Sequence, residues 1–120
     1  MSTPQTYITH ICRPEDWRLA QEQGSYTVAS LETQGFIHCS RPDQVLRVAN
    51  FLYKDQPGLL LLWIDPDRLA SPLRWEHSDD NLSDDFPHIY GPLNLEAVVA
   101  VRDFPAGEDG LYQVVPDLDG

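Results

Sequence analysis

The chain has 120 residues, 42% of them hydrophobic, with three Trp, five Tyr and four Phe. That is enough apolar material for one domain able to fold alone, and too much for intrinsic disorder. Nineteen acids against eight bases give a formal charge of −11, which repels extended polyanions and argues against duplex or long RNA as a partner.

Seven of the eight bases are Arg, whose planar fork suits carboxylate and phosphate, so a small anionic ligand remains open. No stretch reaches the length of a membrane span, and MSTPQTY carries neither a basic nor an apolar leader segment. The expectation is a cytoplasmic single domain over 1–120, off the membrane, with its core over about 6–115 and a frayed tail at PDLDG.

In chain order, residues 7–12 are β-branched and aromatic and predict a strand, which Arg13-Pro14 stops while offering a good first helical position. Glu15 and Asp16 suit the positive end of a helix and Gly24 suits its stop, so a helix is expected over 14–23. Its thin apolar stripe of Trp17, Leu19 and Ala20 predicts packing on a sheet. Residues 25–34 read as an irregular crossing, and GFIHC as the next strand.

Ser40 as cap, Pro42 and Asp43 in a first turn, and Val45, Val48, Ala49 and Leu52 at helical spacing predict a second helix. Pro57-Gly58 then turns the chain into LLLLWID, residues 59–65, whose unbroken apolar run predicts a central strand covered on both faces. LRWE, residues 73–76, is a short strand, and HSDDNLSDDF is an acidic solvated loop without calcium-loop spacing. PHIYGPL, residues 87–93, runs extended into a Gly-Pro turn, and LEAVVAVRDF and LYQVV read as closing strands. Phe86, Trp63 and Trp75 are assigned to the core. The order predicts an α+β domain with its helices in the N-terminal half.

One pattern occurs twice: His10-x-x-Arg13-Pro14-Glu15 and His38-x-x-Arg41-Pro42-Asp43, spaced 28 residues apart. Each histidine stands at a strand end just ahead of a helix start, where free N–H groups and the helix dipole favour an anion and the arginine adds a fixed charge. A neutral imidazole there can bond a ribose hydroxyl or an amide. The plainer reading makes each histidine a satisfied residue that ties down its own strand end.

His10, Cys12, His38, Cys39 and His88 also raise a metal site. Alternation sends His38 and Cys39 to opposite faces of a strand, so both cannot reach one ion, while a three-histidine site of His10, His38 and His88 stays geometrically open. A Cys39 or Ser40 nucleophile is disfavoured, because neighbours along a strand do not face each other and no G-x-S-x-G elbow is present, and Cys12 and Cys39 read as small buried hydrophobes. In PHIYGPL, His88 and Tyr90 share a face and suit a cleft for a flat ring.

YITHIC, SLETQGFIHCS, the run ending in WIDP, RWE and FPHIYGPLNLEAVVAV together resemble the bacterial and plant family known as domain of unknown function 952, from about Tyr7 to Phe104. Through it the chain is similar to the ADP-ribosyltransferase-like superfamily, which uses NAD. HCS at 38–40 resembles the Gly-His-Ser stretch of the RNA 2′-phosphotransferase branch, with a cysteine inserted.

The resemblance implies a split sheet, mixed or antiparallel, whose halves clamp the dinucleotide. It implies His10 and His38 on the nicotinamide side and His88 or Tyr90 near the place where a catalytic glutamate usually stands; with the helix starts supplying Arg13 or Arg41 near the diphosphate, the expected cofactor-binding residues are His10, Arg13, His38, Ser40 and Arg41. PHIYGPL holds no glutamate, so the carboxylate that usually anchors the ribose is absent unless Glu76 or Glu96 supplies it. The functional expectation is an NAD-binding protein that transfers ADP-ribose to a small molecule or protein, or hydrolyses NAD, through His10, His38, His88 and Tyr90. The alternatives are a non-catalytic nucleotide- or metabolite-binding module and a three-histidine metal protein.

Overall fold

The computed structural model describes residues 7–27, 32–56, 58–77 and 85–116. The acidic stretch 78–84 and the tail 117–120 lie outside the described residues.

Strand β1 (Ile8–Cys12) leads through Arg13 into helix α1 (Pro14–Gln23), which has Pro14 in its first turn and closes on Gly24 at φ 85. The predicted bounds of this helix hold because both signals are local: proline fits where no intrahelical N–H is needed, and glycine enters the left-handed cap without a Cβ penalty. After β2 (Ser25–Tyr26) and β3 (Ile37–His38) comes helix α2 (Val45–Leu52).

Helix α2 starts later than Ser40 and Pro42 predict. Ser40 is drawn into a sheet seam, exchanging main-chain bonds of 2.7 and 2.8 Å with Thr9, and residues 42–44 form a turn. The buried Gln44 stands at the helix start, its Oε1 accepting from Arg41 N and its Nε2 donating to Asp85 O, both at 2.9 Å. A buried amide fully engaged in this way fixes the turn to the neighbouring sheet better than a serine cap would.

Strands β4 (Leu59–Ile64), β5 (Leu73–His77), β6 (Asp85–Ile89), β7 (Leu93–Asn94) and β8 (Val98–Phe104) complete the chain. They build a three-stranded sheet β1-β4-β8, a second three-stranded sheet β3-β6-β5 and the short pair β2-β7. All the strand pairs among the described residues are antiparallel. The Thr9–Ser40 bridge joins the two larger sheets.

As the unbroken apolar run predicts, β4 is the central strand of its sheet, with a core on each face. Leu62 and Ile64 pack with Ile8, Cys12, Ala20, Tyr26, Ile37 and Ile89 on the side of α1 and the second sheet. Leu59, Leu61 and Trp63 pack with Ile11, Val45, Ala49, Phe104 and Tyr112 on the side of α2. The period of two along β1 and β4 thus assigns alternate residues to two different cores.

One strand and one core assignment need correction. LYQVV is not a strand: the Tyr112 N–H and carbonyl bond the Asn50 side chain at 2.6 and 2.9 Å, so an α2 amide supplies what a neighbouring strand would have. Trp75 is 43% exposed, although its neighbour across the pairing, Pro87, is buried, because β5 is the edge of the second sheet. Trp63 and Phe86 are buried as assigned.

Candidate functional site

The outward face of the second sheet gathers the polar chemistry. Ile37 and Ile89 pair across the β3-β6 ladder and point into the core, so their neighbours His38 and His88, also a direct pair, point away from it. Arg74 on β5 pairs with His88 from the other side, and Glu76 pairs with Phe86, so Arg74 and Glu76 share that outward face. Tyr90 follows β6 and continues the alternation.

At its centre stands Glu76. His88 Nδ1 donates to Glu76 Oε1 at 3.0 Å and the Tyr90 hydroxyl donates to the same oxygen. The hydrogen bond from Tyr90, followed by that from His88, holds the Glu76 carboxyl below its ordinary range, and the same bond raises the Tyr90 phenol. Glu76 is therefore an oriented anion at neutral pH, with its side chain 35% exposed against 5% for His88.

Aromatic rings wall this carboxylate. Phe36 lies nearly parallel to His88, centroids 4.2 Å apart, and reaches Tyr90 at 5.2 Å. His38 stands edge-on to Phe36 at 4.8 Å and to His88 at 5.2 Å. Its ring is exposed, and Nε2 donates to Gln34 Oε1. The guanidinium carbon of Arg74 sits 5.1 Å from the Tyr90 ring centroid. An oriented carboxylate, an exposed imidazole and stacked rings on one face can hold a polar aromatic ligand and stabilise positive charge beside it.

The predicted residues separate in space. His38, His88 and Tyr90 come together on this face. His10 does not join them: β1 turns it into the first core, where it is 8% exposed and packs edge-on against Tyr26. Its Nδ1 meets the main-chain carbonyl of His38 at 2.5 Å and its Nε2 meets the Tyr26 hydroxyl at 2.9 Å.

A carbonyl only accepts, so Nδ1 carries the proton and the tyrosine donates to Nε2. Burial pushes this imidazole down to about 4, which leaves it neutral at physiological pH. His10 is thus a satisfied core histidine that touches His38 only through its backbone.

That arrangement corrects the three-histidine metal set, because both ring nitrogens of His10 are engaged inside the core. Among the described residues no group of three His, Cys, Asp or Glu is placed to hold a metal ion. Ser40 is buried in the seam with Thr9, and Arg41 is bound to Asp43 by a 2.9 Å ion pair.

Arg13 lines a separate depression of about 380 Å³ with Pro14, Glu15, Gln56, Gly58 and Leu59, none of which belongs to the Glu76 cluster. The thiols are buried, and burial raises Cys12 to about 12 and Cys39 further, which fits packing and not nucleophilic chemistry. Glu96 lies exposed on the short 3₁₀ turn Leu95–Ala97, so of the two glutamates considered for the carboxylate role it is Glu76 that meets His88 and Tyr90. Phe36, Gln34 and Arg74 were not singled out in the sequence. For Phe36 the signal was present, since alternation puts it on the face of His38.

No helix of the described residues is long and apolar enough to cross a membrane. No curated protein matches the chain. Among solved structures, the crystal structure of protein CC0527 from Caulobacter crescentus is 32% identical, with a TM-score of 0.80 over 90% of this chain and 94% of that one. The solution structure of the same protein is 31% identical, with a TM-score of 0.77 over 89% of this chain and 91% of that one. A family model described as a protein of unknown function matches residues 11–101, which takes in the end of β1, helices α1 and α2, His38, Glu76, His88 and Tyr90. By that match, and by its likeness to CC0527 over nearly the whole of both chains, the chain belongs to the family called DUF952.

Proposed function

We propose that this protein binds NAD on the outward face of the second sheet, within an ADP-ribosyltransferase-like split sheet, and cleaves the bond between nicotinamide and ribose. The observation that carries this reading is the Glu76 carboxylate, held by Tyr90 and His88 beside the Phe36 ring. Breaking the glycosidic bond sends its electron pair out with neutral nicotinamide and leaves positive charge on the ribose. An oriented carboxylate that needs no rearrangement to face that charge is the contribution a protein can make to this step.

His38, exposed beside the cluster with its Nε2–H on Gln34, is the side chain nearest to hand to take the proton of the incoming water, hydroxyl or amine. ADP-ribose then passes to water, to a small molecule or to a protein side chain. The −11 charge favours such acceptors over RNA.

Incubation with NAD followed by chromatography of free nicotinamide tests this. Wild type is expected to release nicotinamide, and Glu76→Gln, which keeps the shape and removes the charge, to release it about 100-fold more slowly. Equal release by the two proteins contradicts the role of Glu76. One observation favours a second reading, a nucleotide-binding module without chemistry: Phe36 already covers a face of His88 at 4.2 Å, as a closed recognition surface would. Binding of NAD without nicotinamide release decides for the module.

A further inference from the structure

A dinucleotide carries two phosphates, and an acidic chain has to meet them with a local base. The repeated motif nominates Arg13 and Arg41 for this. Arg13, however, lines a depression made of other residues, and Arg41 is already bound to Asp43 through Nε at 2.9 Å and Nη2 at 3.3 Å.

The other described bases are similarly placed away from the cluster. Arg18 is on α1, Arg47 on α2, Lys54 just after it, and Arg102 on β8 of the other sheet, while Arg68 pairs with Asp65 at 3.3 Å. Arg74 alone among the described bases lies on the outward face of the second sheet.

We infer that Arg74 is the phosphate-binding residue of this face, an assignment that rests on the NAD reading above. Its strand position pairs it with His88, two residues before Glu76 on the same face, so a ligand whose ribose meets Glu76 has its phosphates within reach of the guanidinium. The Tyr90 ring lies under that guanidinium at 5.1 Å. Contact with a ring face restrains a long side chain, and a guanidinium is the group that takes a phosphate bidentately.

Tyr90 therefore serves both ends of the ligand: its hydroxyl orients Glu76 for the ribose, and its face supports Arg74 for the phosphates. The ligand class follows as a ribosylated aromatic base carrying phosphate, in preference to the same nucleoside without it.

Calorimetric titration of wild type, Arg74→Gln and Arg74→Lys with NAD and with nicotinamide riboside tests the assignment. Arg74 is exposed, so both variants are expected to fold as wild type does, which circular dichroism checks. The expected result is a loss of about ten-fold or more in NAD affinity for Arg74→Gln, a smaller loss for Arg74→Lys, and unchanged riboside affinity. Unchanged NAD affinity in Arg74→Gln, or riboside affinity falling in step with it, overturns the role of Arg74 while the NAD reading stands. Absence of binding of either compound to wild type removes the NAD reading, and this assignment with it.

Discussion

His10 and His38 begin as equals in the repeated motif, and the fold gives them opposite surroundings. His38 is exposed on the outward face, whereas His10 is enclosed, neutral and bonded at both nitrogens. The difference has a thermodynamic consequence. Burial holds His10 at about 4 in the folded protein against 6.5 for an ordinary imidazole, so between these values the unfolded chain binds a proton that the native protein refuses. Stability therefore rises with pH through this window and is lost as pH falls through it.

Denaturant unfolding is expected to show about 2 kcal/mol less stability from this group at pH 5 than at pH 7. His10→Asn, which can still donate to the His38 carbonyl but does not titrate, is expected to lower stability at pH 7 and to flatten this part of the pH dependence. An unchanged slope in that variant contradicts the assignment. The alternation of His38 with Cys39 could be read from spacing alone. That His10 enters a core could not, because the Tyr26 hydroxyl that satisfies it is 16 residues away, on the far side of helix α1 in the chain.

At the level of elements, the clearest departures from expectation occur where side chains take over the work of backbone. Asn50 on α2 donates to and accepts from the main chain of Tyr112, and in this way holds the segment 111–115 beside the helix without a strand. Asn50→Ala leaves both groups of Tyr112 without their partner, and is expected to cost on the order of 2 kcal/mol. Amide hydrogen exchange at Tyr112 is expected to accelerate selectively. Exchange rising uniformly over the chain would mean that Asn50 acts on the whole fold and not on this segment.

The same substitution of side chain for backbone explains which elements were legible. Helix α1 was, since Pro14 and Gly24 mark its ends within the helix's own sequence. Strand β4 was, since its composition alone demands cover on two faces. The start of α2 was not, because Ser40 is claimed by Thr9 from 31 residues away and Gln44 anchors the turn to Asp85, 41 residues away. Glu76 emerged only as one of two possible carboxylates. Its partners His88 and Tyr90 are 12 and 14 residues distant, and only the antiparallel pairing of β5 with β6 brings them to it.

Across the molecule, the described residues form two three-stranded sheets joined at the Thr9–Ser40 seam and the short pair β2-β7, with one apolar core on the α1 side of the first sheet and another against α2. The first core uses the inward-facing Ile37 and Ile89 of the second sheet, while the outer side of that sheet carries Phe36, His38, Arg74, Glu76, His88 and Tyr90 together. The central claim is that this outer side is where a ligand binds. Amide and side-chain chemical-shift mapping of the labelled protein during titration with NAD tests it most directly. The account predicts saturable shifts concentrated at Phe36, His38, Arg74, Glu76, His88 and Tyr90. Shifts concentrated instead at Arg13, Pro14, Glu15 and Gln56 around the separate depression, or no shifts at millimolar NAD, would contradict it.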